Sequence, residues 1–182
     1  MKKSFLFLAN GFEEVEALAV VDVLRRGNVE INTVSITRDR EVVGAHGIPV
    51  KADCLLDDIC GEDAEYLICP GGMPGSKNLG DCSKLLNWLQ AHVDKGGKIA
   101  AICAAPALVL SHLKFSRQYN MTCYPGFESY LPGANIKSDG VVVDGNLITG
   151  RGPAYAFKFA LAILEGTSSQ VAKEVAAGML LL

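Results

Sequence analysis

The chain has no close pair of cysteines. Its six, Cys54, Cys60, Cys69, Cys82, Cys103 and Cys123, form no CxxC motif and no zinc-knuckle spacing. Six in 182 residues are also too few to staple a disulfide scaffold. Only three histidines occur, His46, His92 and His112, far apart and outside any HExxH pattern. No metal site and no cofactor site is therefore expected. Basic residues are not in surplus: 17 stand against 20 acidic ones, a net charge of −3. A chain that wraps nucleic acid needs clustered Lys and Arg. The longest apolar run, from Ile99 to Leu110, is too short to cross a bilayer and contains Pro106. The apolar part of "MKKSFLFLAN" is too short for a signal peptide and reads as a first strand. The expected setting is the cytoplasm, where thiols stay reduced. There is no repeat, no low-complexity tract and no Pro/Ser-rich linker, which leaves one domain over residues 1–182. With 49% hydrophobic residues, that domain can bury a core of its own.

What is present is an alternation of strand and helix. "KSFLFLA" has the continuous apolar character of a strand buried on both faces. Glu13 to Arg26 reads as a helix, acidic at its start, basic at its end and stopped by Gly27. Leu18, Val21 and Leu24 mark its apolar face. "VEINTVSI" is a second strand, and "EVVGAHGIPVKAD" a hairpin about a glycine-rich bend. "AEYLICP" and "KIAAIC" are further strands. Between them Ser83 to Lys95 forms an amphipathic helix that includes Trp88, a core residue by its spacing. Helices follow at Ala105–Leu113, Pro153–Glu165 and Ser168–Leu181, with strands at Met121–Tyr124, Val141–Asp144 and Leu147–Thr149. This order predicts an α/β sandwich around a mainly parallel sheet. Ligands bind such sheets at the carboxyl ends of the strands. That rule selects Asn10–Glu16, Gly71–Gly75 and the turn at Cys103.

Cys103 ends a buried strand and a helix starts at once, the layout of a nucleophile elbow. A strained backbone, with positive φ, is expected there. The helix N-terminus is expected to favour the thiolate and lower its pKa. Glu13 and Glu16 share a face of the first helix, while Glu14 points elsewhere. A buried Glu16 would keep its proton and serve Cys103 as acid or base. In "CPGGMPGSKNL", Gly71 and Gly72 bring N–H groups to a strand end. With the N–H of Ala104 they can form an oxyanion hole. The string is neither a P-loop nor a dinucleotide fingerprint. Cys69 reads as core, Cys123 as a buried strand cysteine or a resolving thiol, and Cys54, Cys60 and Cys82 as incidental.

"LANGFEEVEAL", "CPGGMPGSKNL", "AAICAAPALVL" and "GRGPAYAFKFALAILE" together resemble signatures of the ThiJ/PfpI superfamily, in its DJ-one branch. The resemblance implies a flavodoxin-like, class I glutamine amidotransferase-like three-layer sandwich. It makes Cys103 the reactive, oxidation-prone cysteine and Glu16 its acid partner, with Gly72 and Ala104 as backbone donors. Gly71, Tyr124, Pro153 and Arg26 would line the substrate pocket, Arg26 from the side of a homodimer built on helix one. Small 2-oxoaldehydes, or their thiol and amine adducts, are the implied substrates, in glyoxalase or deglycase chemistry. The alternative is a redox-responsive stress protein or chaperone sensing oxidation at Cys103. Peptidase members carry a histidine directly after the nucleophile; here it is Ala104, which disfavours that activity. The histidine that the branch places before a proline on a later strand is replaced by Tyr124.

Overall fold

The computed structural model describes residues 2–181. In chain order the elements are β1 (Lys3–Leu8), α1 (Glu14–Arg26), β2 (Ile31–Ser35), β3 (Glu41–Val43), β4 (Pro49–Lys51), β5 (Cys54–Leu55) and α2 (Leu56–Ile59). Next come β6 (Ala64–Cys69), α3 (Gly75–Gly80), α4 (Ser83–Asp94), β7 (Lys98–Ile102), α5 (Ala105–Leu108), β8 (Asn120–Met121) and β9 (Asn135–Ile136). The hairpin β10 (Val141–Asp144) and β11 (Leu147–Gly150) precedes α6 (Ala156–Glu165) and α7 (Ser169–Gly178).

Seven strands form one sheet in the order β10-β11-β7-β6-β1-β2-β5. All neighbours are parallel except β10, which returns antiparallel along β11. Alternate side chains of β1 show why both faces must be covered. Leu6 and Leu8 join Val20 and Leu24 of α1 and Phe159 and Ile163 of α6 in one core. Phe5 and Phe7 join Leu85, Trp88 and Leu89 of α4 in the other. Trp88 packs at a steep tilt against both rings, at 5.3 and 5.5 Å between centroids. The expected α/β sandwich is thus the observed one, and the hairpin expected after β2 is β3–β4. No helix among the described residues is long and apolar enough to cross a membrane.

Three expectations need correction. The helix foreseen over Ala105–Leu113 stops at Leu108 and gives way to a 3-10 turn at Leu110–His112. Val109 departs from helical geometry at φ −115, and beyond it the bonds tighten to three-residue steps, with His112 N–H donating to Val109 O and Leu113 N–H to Leu110 O. The strand foreseen over Met121–Tyr124 ends at Met121. Beyond it, Thr122 N–H donates to the Thr149 side chain and Tyr124 N–H to the Cys103 carbonyl, so the chain leaves the strand ladder. Leu18 is exposed, unlike Val21 and Leu24.

Candidate active site

β7, β6 and β1 are adjacent at the centre of the sheet. Their carboxyl ends bring Cys103, the Gly71–Gly72 turn and the start of α1 to one place. Cys103 has φ +65, the left-handed conformation that L-residues avoid. Two hydrogen bonds hold it there: its N–H donates to Gly150 O at 2.9 Å, and its carbonyl accepts from Tyr124 N–H at 2.8 Å. The strained turn expected at this position is therefore present.

Glu16 lies in the first turn of α1 and is 0% exposed. Its Oε2 accepts the Gly71 N–H at 2.7 Å. Its Oε1 is buried without a hydrogen-bond partner among the described residues. Burial pushes this carboxyl up to about 7, against the opposing pull of the Gly71 N–H and the Cys103 thiol. Glu16 thus holds a proton near neutrality, as expected of a buried acid.

Gly71 must be a glycine. A Cβ there would run into Glu16 Oε2 and Cys103 Cβ. Gly72 has φ +92, and a Cβ on it would strike the Glu13 backbone. The N–H of Gly71 is taken by Glu16. That leaves the N–H groups of Gly72 and Ala104 directed at the sulfur, where both favour the thiolate.

The thiol itself departs from expectation. It is 8% exposed, and its pKa is pushed up to about 12, first by burial and then by the Glu16 charge beside it. Helix α5 has only four residues, so the dipole meant to stabilise the thiolate is small. The carboxyl therefore ionises well before the thiol, and when Glu16 holds its proton the charge opposing the thiolate disappears.

Tyr124 and Pro153 meet on the rim, where they line a shallow depression of about 290 Å³ with Arg151 and Tyr155. Arg26 is not brought to this site within one chain. It ends α1, ten residues or about 15 Å from Glu16, and pairs with Asp22 at 2.8 Å. Cys69 and Cys123 are buried, with pKa pushed up to about 12 and about 11, which fits packing.

One pairing lay outside the sequence reading. Glu14, expected to point away, is buried and grips the β3–β4 bend. Its Oε1 accepts His46 N–H at 2.8 Å, and its Oε2 meets His46 Nδ1 at 2.8 Å. The partners are 32 residues apart and no motif links them. Glu13, Glu14 and His46 bring three ligand-type atoms within 4.8 Å of one another. Both oxygens of Glu14 are already engaged with His46, and the positive end of α1 opposes a cation; the trio acts as a clamp.

The geometry agrees with the comparisons. Residues 2–166 match the DJ-1/PfpI family. Protein dj-1beta of Drosophila melanogaster is 34% identical over 98% of this chain and 97% of its own length. The "Glutathione-independent glyoxalase DJR-1.2" of Caenorhabditis elegans is 33% identical over 84% of this chain and 81% of its length. The chain spans only 36% and 41% of the two Arabidopsis thaliana DJ-1 homologues it matches. The solved structure "Toxoplasma gondii DJ-1, oxidized" superposes with a TM-score of 0.93 at 34% identity, covering 99% of this chain and 98% of that one. The chain belongs to the DJ-1/PfpI family.

Proposed function

We propose that the protein converts small 2-oxoaldehydes, or their thiol and amine adducts, to 2-hydroxy acids, with Cys103 as nucleophile. The observation that carries this reading is the buried Glu16 carboxyl, its Oε1 without a partner among the described residues, set beside a cysteine strained into the left-handed region. A relative of similar length that bears a glyoxalase name supports it. Glu16 takes part as a proton carrier near pH 7. Ionised Glu16 takes the Cys103 proton as the sulfur adds to the aldehyde carbon; the new oxyanion is held by the N–H groups of Gly72 and Ala104 until that proton is passed to it. Glu16 then moves the proton from the former aldehyde carbon to its neighbour while the hydroxyl proton passes to the neighbouring oxygen, leaving a thioester on Cys103. Water cleaves that thioester, releasing the hydroxy acid and restoring the thiol. Tyr124 orients substrate at the rim, in place of the family histidine. A monomer leaves Arg26 idle, so its role falls to a homodimer built on α1, whose Val15 and Leu18 are exposed. Six free thiols suit the reducing cytoplasm.

The test is to supply methylglyoxal and measure lactate. Wild type should form it, Cys103→Ala should not, and Glu16→Gln should lose at least about a hundredfold in kcat. Equal lactate from wild type and Cys103→Ala would end this reading. A second reading, oxidation of Cys103 as a signal, is favoured by the oxidised state named for the Toxoplasma gondii neighbour. Peroxide titration followed by intact-mass analysis separates the two, through preferential gain of two oxygens at Cys103.

A further inference from the structure

A groove of about 430 Å³ is walled by Met73, Leu108, Phe127 and Tyr130, with Lys77, Asp81 and His112 completing its lining. Each wall is tied to Cys103 by a short path. Met73 follows Gly72, whose N–H faces the sulfur. Leu108 N–H donates to the carbonyl of Ala104, the other donor at the sulfur, at 2.9 Å. Phe127 N–H donates to Tyr124 O at 3.2 Å, and Tyr124 N–H donates to Cys103 O at 2.8 Å. The rings of Tyr124, Phe127 and Tyr130 run on as a ladder, with centroids 6.4 and 5.9 Å apart. Met73 is 51% exposed and Tyr130 54%, so apolar surface is left open along the groove. Of its polar lining, Lys77 is paired with Asp81 at 2.5 Å, and His112 adds an imidazole. The lining therefore offers flat apolar contact and little net charge, the chemistry of an aromatic or bulky apolar group rather than an anion.

We propose that this groove is the subsite for the side group of the 2-oxoaldehyde, and that it selects an aryl group over methyl or hydrogen. The proposal rests on the glyoxalase reading for the reaction, but not for binding. An aryl ring laid between Met73 and Tyr130 leaves its dicarbonyl end toward the Gly72 and Ala104 donors. Methylglyoxal is too short to touch the ladder and gains nothing from it.

Two measurements test this with phenylglyoxal and methylglyoxal as substrates, and mandelate and lactate as the matching 2-hydroxy acids. In wild type, kcat/KM should be at least about tenfold higher for phenylglyoxal, a discrimination typical of apolar pockets. Tyr130→Ala should abolish that preference through KM, leave methylglyoxal turnover within about twofold, and Tyr130→Phe should keep the preference. By calorimetry on Cys103→Ala, mandelate should bind at least about tenfold more tightly than lactate. Adding Tyr130→Ala to that protein should erase the difference. Mandelate binding no better than lactate overturns the groove, as does a Tyr130→Ala loss equal for both substrates. If mandelate is preferred while wild type forms neither hydroxy acid, the groove stands and the glyoxalase reading falls.

Discussion

Glu16 occupies a place where a carboxylate is costly. No water reaches it, and one oxygen has no partner among the described residues. Its folded pKa of about 7 lies above the ordinary 4.5, so the folded chain holds this proton more tightly than the unfolded chain does. The sign follows by linkage: stability is highest in acid, declines as pH rises from 4.5 to about 7, and the loss is complete above that. Its size is on the order of 3 kcal/mol. Glu16→Gln keeps the shape and cannot ionise, so urea unfolding at pH 5 and pH 8 should show that decline in wild type and not in the variant. Parallel declines in both would mean that the acid is not raised. The role of Glu16 was legible only through the family resemblance, since an acid in the first turn of a helix ordinarily faces solvent and satisfies the dipole there. The raised thiol was not legible, since it depends on how deeply the elbow is buried and how short α5 is.

At the scale of elements, Glu14 clamps the bend of the β3–β4 hairpin, beside backbone bonds from Gly11 N–H to Val43 O and from Ala45 N–H to Phe12 O, both 2.8 Å. The Glu14 charge and the His46 proton hold each other: the carboxyl is kept below its usual range by hydrogen bonds from His46, against its burial, and the imidazole is raised by Glu14. The ionic part of this clamp is present above the usual carboxylate range and is lost in acid as Glu14 gains a proton. It is lost again as pH rises through the raised value of His46. Glu14→Ala should therefore speed amide exchange over residues 42–50 at least about tenfold while leaving α4 protected, at a cost of about 1–3 kcal/mol. Unchanged exchange in the hairpin would refute the clamp. The βα alternation was readable because buried parallel strands are uniformly apolar and α1 and α4 carry complete periodic faces. Helix α3 was not. "PGGMPGSKNLG" has the residues of a turn, and its helix is held by tertiary contact, with Ser76 and Leu79 fully buried. Propensity lost there to packing.

At the scale of the molecule, the two cores account for most buried apolar side chains, yet a strip remains uncovered. Val15 and Leu18 of α1 lie three residues apart on one helix face, and Ile48 on the neighbouring hairpin is exposed as well. The homodimer proposed above would cover this strip. Light scattering should then give twice the 19.3 kDa chain mass, and Leu18→Asp should return the monomer. A monomeric wild type would remove the dimer and with it any part for Arg26 in the pocket. Glycine adopts the left-handed turn found at Cys103 freely, whereas a residue with a Cβ carries a cost of about 1–2 kcal/mol. Cys103→Gly would release that strain but give up the packing of a side chain that belongs to the core, so the turn and the core pull the residue at position 103 in opposite directions.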